Sequence, residues 1–176
     1  MGLAFLDPLP KFELIGTDEK TYNISSFNAK KVLCVIFTCN HCPYAQGYEQ
    51  RILRLQDEYG IQGLQIVLIN SNDPENVPED SFEGMKQRAR EHHYIVPYLW
   101  DKTQGVAKRF GAVCTPEAFL FDRKRQLKYR GRIDDNWRDP NRVKERSLAL
   151  AVSDVLAGKE PVPHERPAMG CSIKWK

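Results

Sequence analysis

Apolar residues come in short bursts along this chain, and the spacing within each burst assigns it to a strand or a helix. Val32-Leu33-Cys34-Val35-Ile36-Phe37 is apolar at six consecutive positions and rich in β-branched residues, the pattern of a strand buried on both faces. Gln65 to Asn70 repeats that pattern. Between Pro43 and Tyr59, Tyr44, Tyr48, Ile52, Leu55 and Tyr59 recur at every third or fourth position, with proline in the first turn and Gly60 as a stop, which predicts an amphipathic helix. Phe12 to Ile15 and Thr21 to Ile24 flank a polar turn and predict a hairpin added at a sheet edge. Asp80-Ser81-Phe82-Glu83 opens a second helix with Asp80 as its cap, and Pro97 stops that helix from running far past His92 and His93. Tyr98 to Trp100 is a short strand, and Gln104 to Phe110, closed by Gly111, fits one to two helical turns. Glu117 to Phe121 and Leu127 to Arg132 predict a second hairpin across the charged turn Asp122 to Gln126. A last helix is expected over Asn141 to Ala157, followed by a proline-rich extended tail from Lys159 to Lys176.

Strands alternating with helices, then a hairpin and a final helix, predict an α/β fold with a central mixed β-sheet flanked by helices. The 176 residues contain no repeat and no linker, so one domain over 1–176 is expected, with its core at about 12–157. With 41% apolar and 28% charged residues the chain has the composition of a globular protein. Lys and Arg (26) nearly balance Asp and Glu (23), so neither a nucleic acid nor an anionic membrane is implied as a partner. The longest apolar run is far short of the ~20 residues that cross a bilayer, and the N-terminus lacks the basic start of a signal peptide, so a cytoplasmic location is expected.

Five cysteines, an odd number, argue against a secreted disulfide scaffold and for thiols kept reduced or used in chemistry. Cys39 and Cys42 bracket Asn40-His41 at the end of the first buried strand and the start of the first helix, where open α/β sheets carry their sites. A disulfide across so small a ring removes little entropy from the unfolded chain, so its value lies in reactivity. The helix N-terminus carries partial positive charge that favours a thiolate, and His41 adds to it when protonated. Cys39, at the outer end, is then the expected nucleophile, and Cys42 the thiol that resolves the mixed disulfide. A zinc site needs further ligands, and no second Cys-x-x-Cys or His-x-x-His pair follows, so no metal or other cofactor is expected. Cys34 reads as a small buried hydrophobe, and Cys114, which precedes Thr115-Pro116, either as buried filler or as a further redox thiol close to the dithiol. Cys171 belongs either to a fraying tail or to a tail that docks back, on the body or on a partner subunit, and brings a resolving thiol.

With its strand, Cys39-Asn40-His41-Cys42-Pro43 and the Thr115-Pro116 pair ahead of a hairpin, the chain resembles the thioredoxin-like superfamily over about Phe12 to Ala157. Within it, the resemblance is to the redoxin branch of alkyl hydroperoxide reductase-like and TlpA-like proteins. This implies a thioredoxin-like fold with an N-terminal β-hairpin and an extended C-terminal tail. It also implies a cis Thr115–Pro116 bond beside the dithiol, with Thr115 and Pro116 shaping the groove for a substrate chain. Thioredoxins usually carry a buried aspartate six residues before the first cysteine. Here that position is Leu33, and Glu117 is the candidate proton acceptor instead. Peroxiredoxins carry a threonine three residues before the peroxidatic cysteine; with Cys42-Pro43 in that role, this position is Cys39. The Asn-His spacer is nearer those of oxidising family members, which implies a potential less negative than the roughly −270 mV of thioredoxin. The expected function is a thiol-disulfide oxidoreductase cycling Cys39 and Cys42, with protein or small-molecule disulfides and a cellular dithiol reductant as partners. A thiol peroxidase acting on peroxides is the second reading, and a copper or zinc carrier that uses the thiols as ligands is the third.

Overall fold

Along the chain run β1 (Glu13–Gly16), β2 (Thr21–Asn23), β3 (Val32–Phe37), α1 (Pro43–Tyr59), β4 (Leu64–Asn70), α2 (Phe82–Glu91) and β5 (Tyr98–Trp100). There follow α3 (Gly105–Phe110), β6 (Cys114–Thr115), β7 (Glu117–Phe121), β8 (Leu127–Gly131), α4 (Ser147–Leu156), β9 (Glu165–Arg166) and β10 (Cys171–Ser172). The structure, a computed structural model, describes residues 2–176. Among these residues an eight-stranded mixed sheet runs in the order β2-β1-β5-β4-β3-β7-β8-β9, and β10 pairs separately with β6. β3 lies at the centre, parallel to β4 and antiparallel to β7, with Val35 opposite Val67 on one side and Phe119 on the other.

Side chains alternate along β3, yet both faces are buried, which is why the run lacks polar positions. Cys34 and Ile36 pack with Tyr48 and Ile52 of α1, Met85 of α2 and Leu148 of α4. Leu33, Val35 and Phe37 pack on the other face with Val106 and Phe110 of α3 and with Phe27. There Phe37, Phe110 and Phe119 meet edge to face with centroids 5.2 to 5.8 Å apart, a geometry that suits the charge distribution of aromatic rings. The ends of β3 and β4 and the start of β7 are thereby fixed at one edge of the core, where the dithiol loop emerges.

Three expectations change in detail. Asp80 does not cap α2. It lies in a short 3₁₀ turn, Pro78–Asp80, and Ser81 caps the helix by accepting from the Gly84 amide at 3.2 Å. The last helix starts at Ser147 rather than Asn141. Asp139 captures the Asn141 amide over a separate 3₁₀ turn, Pro140–Arg142, and Val143 is extended, which breaks the helical hydrogen-bond ladder. The tail is extended but far from free, since β9 joins the sheet beside β8 and β10 lies on β6. No helix among the described residues is long and apolar enough to cross a membrane.

Phe110→Ala should cost about 3–5 kcal/mol through lost burial and a residual cavity, whereas Ile61→Ser, at a site 95% exposed, should change stability by less than about 0.5 kcal/mol. Urea denaturation of the two variants checks this, and equal effects would contradict the packing described.

Candidate active site

β3 ends at Phe37, the Thr38 amide continues its pairing to the Ile69 carbonyl at 2.9 Å, and the chain then turns through Cys39-Asn40-His41 into α1. α1 begins at Pro43, so Cys42 is its N-cap residue, in extended backbone (φ −72°, ψ 123°). Proline has no N–H, and the first-turn amide that reaches the Cys42 sulfur is that of Ala45. Hydrogen bonds from the Cys39 thiol, from the Cys171 thiol and amide, and from that Ala45 amide outweigh burial and hold the Cys42 thiol down to about 4. Cys39 moves the other way. Its hydrogen bond to Cys42, its burial and the Asp80 carboxylate all push its thiol well above the ordinary range, opposed by the Thr115 hydroxyl at 3.2 Å. This asymmetry runs opposite to the expectation that Cys39 carries the thiolate and favours the anion on Cys42, the N-cap residue of α1.

Thr115 and Pro116 stand against the pair. The Thr115–Pro116 bond is cis, and the Thr115 carbonyl lies 3.3 Å from Cys42 Sγ, where it accepts from the protonated thiol. β10 covers the same edge, with Cys171 opposite Thr115 and Ser172 opposite Cys114. Cys39, Cys42 and Ala45 form a small apolar cluster against which Tyr44 and Cys171 pack. The tail of the two Cys171 alternatives is thus the docked one, and it docks on its own chain.

Asp80, read from sequence as a helix cap, is fully buried and holds the loop together. Its carboxylate accepts from the Asn40 backbone amide at 2.5 Å and from the side-chain amides of Asn70 at 3.0 Å and Asn72 at 2.8 Å. His41 Nδ1 lies 2.6 Å from its other oxygen. Tyr98 donates to Asn40 Oδ1 at 2.8 Å and completes the mesh. Cys39, His41 and Asp80 bring three metal-capable atoms within 4.8 Å of one another. The carboxylate's lone pairs are already taken up by these donors, so the trio is organised for hydrogen bonding. Glu117, the candidate proton acceptor, is committed elsewhere, to Arg130 at 3.0 Å and to the Val113 amide at 2.9 Å. Leu33, at the position of the missing aspartate, is core.

The other thiols are quiet. Burial pushes Cys34 upward, and burial together with the Glu117 charge raises Cys114 to about 12, so both stay protonated at neutral pH.

A model of the Redoxin family matches residues 6–147. Among solved structures, an uncharacterized conserved protein from Geobacillus kaustophilus is 38% identical, with a TM-score of 0.92 over 98% of this chain and 93% of that one. A hypothetical protein from Sinorhizobium meliloti 1021 is 34% identical, also with a TM-score of 0.92, over 100% of this chain and 97% of that one. The thioredoxin domain of a thiol-disulfide oxidoreductase from Bacteroides vulgatus, at 17% identity, shares the fold with a TM-score of 0.60 over 72% of this chain and 86% of that chain. A search of the curated proteins gives no match. The chain belongs to the redoxin family, on a thioredoxin-like fold, and its role is thiol redox chemistry.

Proposed function

We propose that the protein is a thiol-disulfide oxidoreductase that cycles Cys39 and Cys42 between dithiol and disulfide. The observation that carries this reading is the placement of Cys39 and Cys42 together at the start of α1, both in contact with Thr115 ahead of a cis bond to Pro116. Cys42 attacks a sulfur of the substrate disulfide and the first thiolate leaves. Cys39 then loses its proton, attacks the Cys42 sulfur and releases the second thiol, so two electrons pass to the substrate. His41, oriented by Asp80, is the nearby group suited to take the Cys39 proton, with Asp80 as a positioning residue. Thr115 and Pro116 form the wall against which substrate sulfur is aligned.

Peroxide reduction is the second reading, and the complete burial of Cys42 favours it, because a small oxidant reaches a covered sulfur more readily than a polypeptide does. Cys42 would become a sulfenic acid, and Cys39 would condense with it to a disulfide and water.

Side-by-side assays of low-molecular-weight disulfide reduction and peroxide consumption on metal-free protein separate the two. Cys42→Ser should lower either activity on the order of 10³-fold or more; wild-type rates in that variant would remove Cys42 from the mechanism. Peroxide turnover well above disulfide turnover would favour the second reading.

The potential of the pair offers an independent check. The Cys42 thiol falls from its ordinary 9.0 to about 4, so between those values the reduced folded protein binds one proton fewer than its unfolded chain. The stability contributed by this ionisation is complete above the upper value and is lost as pH falls through the lower one. Reduction across this window takes up one proton per two electrons, so the midpoint should fall by about 30 mV per pH unit, against about 59 mV for an ordinary dithiol. A slope near 59 mV at pH 6 to 8, in redox titration against a buffer of known potential, would contradict the assigned thiolate.

A further inference from the structure

The dithiol is covered. Cys39 is 3% exposed and Cys42 is 0% exposed, and β10 forms part of the cover, with Cys171 packed against the Cys39, Cys42 and Ala45 cluster. Cys171 itself keeps part of its surface in solvent. Its position is built by the segment around it. Ile173 is buried and its amide bonds to the Val113 carbonyl at 3.1 Å. The Lys174 amide donates to Asn72 Oδ1 at 2.8 Å, and its carbonyl accepts from the Asp73 amide at 2.8 Å and from Gln104 at 2.9 Å. Gly170 approaches so closely that a Cβ there would collide with the Thr115 carbonyl. Cys171 thus stands against Cys42, and its thiol and amide help to lower the pKa of the Cys42 thiol.

We propose that Cys171 is a third redox thiol of this site, the solvent-facing port through which an external dithiol reduces the buried pair. The proposal rests on the dithiol reading above. After Cys42 has attacked a disulfide RSSR and released RS⁻, the Cys171 thiol gives its proton to that thiolate and attacks the Cys42 sulfur. The bond from Cys42 to the substrate breaks, the Cys42–Cys171 bond forms, and one RSH and one RS⁻ have left in exchange for two electrons. Cys39 competes for the same sulfur, and its attack converts Cys42–Cys171 into Cys39–Cys42 and back without net oxidation. Reduction starts at the port. A thiolate of an external dithiol attacks the sulfur of half-buried Cys171 and expels the Cys42 thiolate. Cys42 is the better leaving group because its thiol is held low, whereas burial and the contact with Cys42 raise Cys171 to about 11. The second thiol of the reductant then frees Cys171, and the reductant departs as its own disulfide.

The test uses full-length, reduced Cys39→Ser treated with oxidised glutathione, quenched in acid, alkylated and mapped by peptide mass. The expected product is a Cys42–Cys171 disulfide with no glutathione retained. Glutathione held on Cys42 with Cys171 still open to alkylation would overturn the proposal, and if wild type then yields Cys39–Cys42 the dithiol reading survives alone. An unreactive Cys42 in both proteins would overturn both. In a second arm, oxidised Cys171→Ser should be reduced by dithiothreitol about tenfold more slowly than oxidised wild type, because the accessible sulfur is gone; an unchanged rate would overturn the port.

Discussion

The buried carboxylate of Asp80 is the constraint on which the site depends. A charge taken out of water is tolerated only when its lone pairs are filled by donors held in place. Here the donors come from three stretches: the dithiol loop through Asn40 and His41, the end of β4 through Asn70, and the loop after it through Asn72. Removing the carboxylate would strand those donors at about 1–3 kcal/mol each before relaxation. Satisfying it fixes the geometry of Cys39-Asn40-His41-Cys42. The same mesh extends to the tail, because Asn72 gives a hydrogen to Asp80 and takes one from the Lys174 amide.

From that constraint an electrical asymmetry follows. Asp80 stands on the Cys39 side and its charge opposes ionisation there. The Ala45 amide and the Cys171 thiol and amide stand on the Cys42 side and favour it. The contact between the two thiols is the largest cause of both shifts, and these surroundings add to it. This matches the logic of active sites in which neighbouring groups are pushed apart in acidity so that one can attack while the other waits.

Local pattern made much of this readable. β3 and α1 follow from runs of apolar positions, Cys39 and Cys42 from their place between them, and the Thr115-Pro116 pair from its place before β7. What the sequence could not carry was contact across distance. Asp80 lies 40 residues from Asn40 and reads as a cap because Asp80-Ser81 fits a helix start; only the fold shows that Ser81 does the capping and frees Asp80 to turn inward. Asn72 and Lys174 are separated by 102 residues, and a proline-rich tail gives no sign of where it docks. The start of α1 at Pro43 is legible, whereas the groups that distinguish the two sulfurs, Asp80 beside Cys39 and Cys171 against the pair, come from distant parts of the chain. The apolar phase through Val143 likewise concealed the break that Asp139 and Pro140 impose before α4.

In the reduced protein Cys42 is expected to carry the anion and Cys39 the proton. Thiolate absorbance near 240 nm, followed through an acid titration of the reduced protein, tests it most directly. A one-thiol step with its midpoint at about 4 is expected, absent from Cys42→Ser and moved upward in Cys39→Ala, which lacks the donated hydrogen bond. A step that persists in Cys42→Ser, or a wild-type midpoint near the ordinary 9.0, would contradict it.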